Sequence, residues 1–145
     1  MSDLRAAREA VVREHMESEN RHEFDVTLGT FDHPRYEIVP TGEVHDGAEA
    51  VMQYFNDSRT AFPDQRNELI ELHHADDTVI AEFWLKGTHN GPLRGIPPTG
   101  KEFTCRCAAF FIFESGSDRL VCERVYFDAI TILTQLGIVP GLPGG

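Results

Sequence analysis

The run from Leu120 to Gly137, L-V-C-E-R-V-Y-F-D-A-I-T-I-L-T-Q-L-G, constrains the fold more than any other stretch. Its first half is rich in β-branched and aromatic residues and free of Gly and Pro, which predicts a strand. Its second half predicts a short helix, with Asp128 at the joint as a possible N-cap and Gly137 past the last apolar residue as a C-cap. A strand alternates its side chains with a period of two. Unbroken alternation puts Leu120, Cys122, Arg124, Tyr126 and Asp128 on one face, and Val121, Glu123, Val125 and Phe127 on the other. The face that looks inward decides which charged group enters a pocket.

The rest of the chain supplies what such a strand packs against. Leu4, Ala7, Val11, Val12 and Met16 recur at helical spacing over residues 3–21, and His15 lies within their stripe. A second helical stretch runs from Phe24 to about Phe31 and is broken at Asp32-His33-Pro34. Tyr36–Val39 reads as a short strand. Asp46-Gly47 is a turn before a helix from Ala48 to about Arg59, which carries Tyr54 and Phe55. Strands follow at Arg66–His74, Thr78–Thr88, Phe103–Phe113 and Leu120–Phe127, with Ala75-Asp76-Asp77 as a hairpin turn. The Gly- and Pro-rich residues 87–100 form a long irregular connection, a class of loop that is often functional. Helices first and antiparallel strands later predict an α+β chain: a curved sheet wrapped around the long first helix, with a cone-shaped pocket between them. One domain over residues 1–145 is expected, with 138–145 as a loose tail.

A net charge of −11 leaves no basic patch for nucleic acid or an anionic membrane. No apolar run reaches membrane-spanning length, and the charged N-terminus does not resemble a secretory signal. Three cysteines give no disulfide framework, which predicts buried thiols and a reducing, cytoplasmic location. His73 and His74 are adjacent on a strand, so they point to opposite faces and cannot chelate one metal together. No metal or cofactor is expected.

Several motifs carry a resemblance: Phe62-Pro63-Asp64, Gly87-Thr88-His89 with Gly91, Gly95-Ile96-Pro97-Pro98-Thr99-Gly100, and Leu133-Thr134-Gln135-Leu136-Gly137. In this order they resemble the nuclear transport factor two superfamily and, within it, the SnoaL-like polyketide cyclases. The resemblance implies a cone fold that hosts cyclases, isomerases, hydrolases, dehydratases and binders. It also places the family's acid–base positions. The catalytic aspartate of the cyclases and of limonene epoxide hydrolases falls at Val125. The cyclase histidine, or the protonated aspartate of ketosteroid isomerase, falls at Ala109, the isomerase base at Val39 and its tyrosine at His15. The pocket keeps its shape and lacks the usual carboxylates.

Three residues remain as catalytic candidates. Glu123 shares a face with Val125 and would be a partly desolvated base if that face is inward. His15 would donate a hydrogen bond to a carbonyl oxygen or, on the alternative reading, is a core histidine satisfied by the backbone. Asp128 is a strand-end carboxylate, read first as a helix cap and second as an acid or base. Glu19, one turn beyond His15, reads first as solvated and second as reaching the pocket mouth. Phe83, Leu85, Cys107, Ala109, Phe111, Val125, Phe127 and Tyr54 are the expected pocket wall, suited to a small hydrophobic ligand. Trp84 and Phe110 on the outer face predict a homodimer. These features support either a cofactor-free cyclase or isomerase acting on a hydrophobic carbonyl compound, or a non-catalytic binder of such a ligand. An epoxide hydrolase or dehydratase is disfavoured by Val125.

Overall fold

The structure, a computed structural model, describes residues 2–139. The chain opens with α1 (Ser2–Asn20) and the short α2 (Phe24–Leu28), then β1 (Arg35–Ile38) and β2 (Glu43–Asp46). Helix α3 (Ala48–Ala61) leads to β3 (Arg66–Ala75), β4 (Thr78–Thr88), β5 (Glu102–Phe113), β6 (Leu120–Tyr126) and α4 (Ala129–Gln135). The six strands form one sheet in the order β2-β1-β6-β5-β4-β3. All neighbours are antiparallel except β1 and β6, which run parallel. Among the described residues no helix is long and apolar enough to cross a membrane.

Strands β4 and β5 are the long central pair. Their alternation sends Val79, Ala81 and Phe83 inward, opposite Phe111, Ala109 and Cys107. Helix α1 lays Val12 and Met16 on this face, and α3 adds Val51 and Phe55, all buried. Each such side chain contributes about 1.5–3 kcal/mol by leaving water, so this face is the source of the fold's stability. On the outer face, Trp84 is half-buried beneath the Arg106 guanidinium, and Arg106 and His73 both reach Glu82.

Strand β2 was not expected. It is four residues long, sits at the sheet edge and has no run of apolar alternation, so nothing but pairing with β1 marks it. The face assignment of β6 also changes at one end. Phe113 pairs with Leu120 and Ile112 with Cys122, which leaves Val121 as an extra residue. This bulge turns Leu120 into the core beside Glu123 and Val125, whereas strict alternation grouped it with Arg124.

The motifs that suggested the fold prove to be its joints. Asp64 accepts from the Thr88 amide and hydroxyl, both at 2.7 Å. Gln135 accepts from the Thr104 amide at 2.7 Å and donates to the Thr104 carbonyl at 3.1 Å, tying α4 to β5. His89 is fully buried, and its Nδ1 accepts from the Thr99 amide at 3.2 Å, which closes the 87–100 connection on itself. Asp128 caps α4 by accepting from the Thr131 amide at 3.1 Å and hydroxyl at 2.7 Å. After α4, the Ile138 amide bonds to the Leu133 carbonyl at 2.9 Å and Ile138 packs on the core, so the expected loose tail is anchored at its start. Residues 140–145 of that tail lie outside the described residues.

Gly91 shows how tight these joints are. A Cβ there would stand 1.8 Å from the Thr60 carbonyl oxygen, and the Gly91 amide already bonds to the Ala61 carbonyl at 3.1 Å. Gly91→Ala should destabilise the fold by roughly 3 kcal/mol, at the upper end of overpacking costs. Gly29→Ala, where the nearest atom would be 3.3 Å away, should cost less than about 1 kcal/mol. Urea unfolding of both variants checks this. Equal midpoints would refute the close approach at Gly91.

Candidate active site

The site begins with two strand registers. Glu123 on β6 stands opposite Tyr36 on β1 and opposite Phe111 on β5, so the three side chains form a row on the inner face. Helix α1 brings His15 onto that row. Its ring meets Phe111 edge-on at 5.1 Å and Phe31 at 5.5 Å, and stacks on Tyr36 at 5.9 Å. His15 and Glu123 are buried, with the histidine fully so.

Three oxygens converge on one nitrogen of His15. Nε2 lies 2.6 Å from the Tyr36 hydroxyl, 2.7 Å from Glu123 Oε1 and 2.8 Å from Glu19 Oε1. The other ring nitrogen fixes the tautomer. The Thr30 hydroxyl donates to the Thr27 carbonyl at 2.6 Å, so it must accept from His15 Nδ1–H, which lies 2.9 Å away. The proton that His15 gains or loses is therefore on Nε2, facing the two carboxylates. A lone pair there would be directed at three oxygens. A proton removes that repulsion.

The charges follow from this packing. Burial disfavours the His15 imidazolium, but the adjacent Glu123 and Glu19 outweigh it and raise its pKa to about 9. Burial raises Glu123 above the ordinary carboxylate range, with His15 opposing. Glu19 goes the other way. Burial would raise it, but His15 and then Arg59, whose guanidinium is 3.5 Å from Glu19 Oε2, hold it below the usual value. Burial pushes both Tyr36 and Tyr54 upward, so both phenols stay protonated and can donate. Of the two carboxyl groups, Glu123 is thus the one held closer to accepting a proton. The Nε of Arg59 is buried without a hydrogen-bond partner.

These groups edge a cavity of about 50 Å³. Glu123, Glu19, Tyr36, Tyr54 and Arg59 form its polar end. Phe83, Leu85, Phe111, Val125 and Phe127 form its apolar wall. Six of the expected wall residues thus line it. Cys107 and Ala109 do not. Both are buried on the same face but are covered by the core. His15 does not reach the wall either. It is fully buried with both nitrogens engaged, so a direct hydrogen bond from it to a ligand is not available, and its contact with the cavity wall is through Glu123. Asp128 is exposed, with its carboxylate occupied at the helix cap, and lies outside the cavity. Val39, where the resemblance puts an isomerase base, is 43% exposed. Glu37 points outward to Arg124 and Arg35, while Tyr36 and Ile38 face in.

Sequence reasoning missed Arg59 and ranked Glu19 the wrong way round. Glu19 was read first as solvated and second as reaching the pocket mouth, and its spacing of four from His15 puts it on the helix face that meets the cavity. Arg59 was not singled out. Its position four after Phe55 on α3 was the available signal, and its guanidinium lies over the Phe24 and Phe55 rings.

Among the described residues, His15, Glu19 and Glu123 also bring ligand atoms within 4.8 Å of one another, a set that could hold a divalent cation. The Thr30 bond to Nδ1 is the kind of outer contact that orients a metal-bound imidazole. The Tyr36 hydroxyl at 2.6 Å, however, occupies the approach to Nε2. The exposed group Glu71, His73 and Glu82 is a second such set on the outer face. His73 and His74 themselves diverge, to Glu82 at 2.8 Å and to Glu9 at 2.7 Å.

Comparison with known proteins agrees with the geometry. The family model for SnoaL-like polyketide cyclase matches residues 9–136. No curated protein matches. Among solved structures, AclR of Streptomyces galilaeus, whose name proposes a hydroxylase, is 20% identical at a TM-score of 0.79, with 96% of this chain and 86% of that chain covered. IdmH of Streptomyces antibioticus, named as a proposed polyketide cyclase, is 21% identical at 0.75, covering 90% and 98%. A SnoaL-like protein from Jannaschia sp. CCS1 is 17% identical at 0.78, covering 93% and 94%.

The His15 shift has a consequence for stability. A folded pKa of about 9 against an ordinary 6.5 means the group's contribution is fully present below pH 6.5 and is lost as pH rises through 9. Wild-type unfolding free energy should therefore fall across that window by on the order of 3 kcal/mol. In His15→Gln that fall should be absent. Urea titrations from pH 6 to 10 read it, and a wild type with no more slope than the variant would contradict the buried imidazolium.

Proposed function

We propose, for a chain that belongs to the SnoaL-like polyketide cyclase family, that it is a cofactor-free acid–base enzyme acting on a small enolisable carbonyl compound. The observation that carries this is Glu123: a buried carboxylate on the cavity wall, with a raised pKa, paired to His15 Nε2 at 2.7 Å. Burial makes such a group a stronger base than an ordinary carboxylate.

In the proposed step Glu123 removes the proton beside the carbonyl. The C–H electron pair moves into the enolate, whose oxygen takes the hydrogen bond of the unpartnered Arg59 Nε–H. Return of the proton to another carbon completes an isomerisation. Attack of the enolate carbon on a second carbonyl forms the ring bond of a cyclisation, and the new alkoxide takes the proton back. His15 is a positioning residue here. Its Nε2–H holds Glu123 in place and lowers its pKa against the effect of burial. The base thus stands one residue-pair along β6 from Val125, where the family resemblance places an aspartate.

The second reading is a non-catalytic binder. It is favoured by one observation: at about 50 Å³ the inner cavity holds little more than a water or two in its present shape.

Exchange of the α-protons of 1-tetralone into D2O, followed by NMR, separates the two readings. The enzyme reading predicts protein-dependent exchange that drops roughly a hundredfold or more in Glu123→Gln, with little change in KM. In His15→Gln the pH profile should move, because the base loses the imidazolium beside it. Binding without exchange by the wild type supports the binder. Exchange that survives Glu123→Gln at full rate removes Glu123 as the base.

A further inference from the structure

A second, larger cavity lies on the far side of Tyr54. It measures about 490 Å³, which is the size of a small-molecule site. Tyr54 lines both this cleft and the inner cavity, so its side chain is the shared wall between them. We propose that the cleft is the entrance and outer half of the substrate site, with Tyr54 as its door, and that the substrate bears a hydroxyl group remote from its reacting carbonyl. The proposal rests on the assignment of Glu123 as the base and extends it to substrate class.

The door is lightly held. The Tyr54 ring stacks on His45 at 4.7 Å and meets Tyr36 at 5.6 Å. His45 in turn has a buried Nε2 without a hydrogen-bond partner, 4.0 Å from Glu43. The stack can swing without breaking a hydrogen bond. When Tyr54 turns aside, the small chamber at Glu123 becomes the end of a space long enough for a two-ring compound.

The cleft is lined for hydrogen bonding. Asp57 and Thr60 come from α3, Glu43 and His45 from β2, and Arg94 from the 87–100 connection. These offer both acceptors and donors with nearly balanced charge, which suits a neutral hydroxyl better than an ion of either sign. Arg94 is placed there at a cost. Leu93 and Ile96 exchange backbone hydrogen bonds at 2.9 and 2.8 Å, and both residues between them have positive φ, +49° at Arg94 and +81° at Gly95. Such a turn normally takes Asn or Asp before its Gly. An arginine there is backbone strain that holds a guanidinium over the cleft, paired to Glu43. This also explains the Gly-rich connection, whose inner end is latched by His89 and whose tip carries Arg94.

The test compares two probes, 1-tetralone and 6-hydroxy-1-tetralone, whose hydroxyl lies on the ring away from the carbonyl. Calorimetry or ligand-observed NMR on the whole chain should show the hydroxylated ketone binding at least fivefold more tightly. Arg94→Ala and Asp57→Ala, both at the protein surface, should reduce that preference to below twofold. Tyr54→Ala should speed association of both ketones at least tenfold in stopped-flow, and Tyr54→Phe, which keeps the door, should not. Equal affinity of the two ketones, a preference that survives both surface variants, or no binding of either at millimolar concentration overturns the proposal. If the preference is present but no α-proton exchange occurs, the catalytic reading fails and the substrate site stands.

Discussion

The buried contact between His15 and Glu123 is what the rest of the inner face is arranged around. A charged pair taken out of water costs several kcal/mol per ion unless its geometry and further hydrogen bonds compensate. Here the compensation is visible in successive layers. Thr30 and Thr27 orient the ring from behind, Tyr36 meets it in front, and Arg59 neutralises the second carboxylate, Glu19. The parallel pairing of β1 with β6 is needed for this, because it sets Tyr36 beside Glu123. Replacing such a cluster with apolar residues would in general be neutral or stabilising.

The frame of the fold and the carboxylates on its inner face are set by different residues. The motifs shared with the family, Asp64 with Thr88, His89 with Thr99, and Gln135 with Thr104, are all backbone joints. They hold the cone and carry no chemistry. The positions where the resemblance puts acids hold Val125, Ala109 and Val39, while a carboxylate appears at Glu123, two residues earlier on the same inward face of β6. A side chain displaced by two on a strand stays on its face and shifts by roughly 7 Å. The cavity is therefore served from a different point on its wall.

The sequence carried the fold through strong local signals: the apolar stripe of α1, the alternation of β4 and β5, and the cap at Asp128. Glu123 was legible for the same reason, since it shares a face with Val125. Other parts were not. The edge strand β2 is polar and short, and only its partner makes it a strand. The bulge at Val121 depends on pairing with β5 and leaves no mark in one strand alone. Glu19 and Arg59 look like ordinary surface charges until two helices meet over the cavity. His15 could be placed in the core, but its role depends on which nitrogen carries the fixed proton, and that is decided by Thr30, fifteen residues away.

His15 and Glu123 form a buried pair in which His15 stays charged at neutral pH. Site-resolved NMR titration tests it most directly, following the ring nitrogens of His15 and the side-chain carboxyl carbon of Glu123 from pH 4 to 10. The account predicts an imidazolium at pH 7, with proton loss from Nε2 centred near pH 9, and a Glu123 carboxyl that titrates above the ordinary 4.5. A neutral His15 at pH 7, with Glu123 ionising at or below its ordinary value, would contradict it.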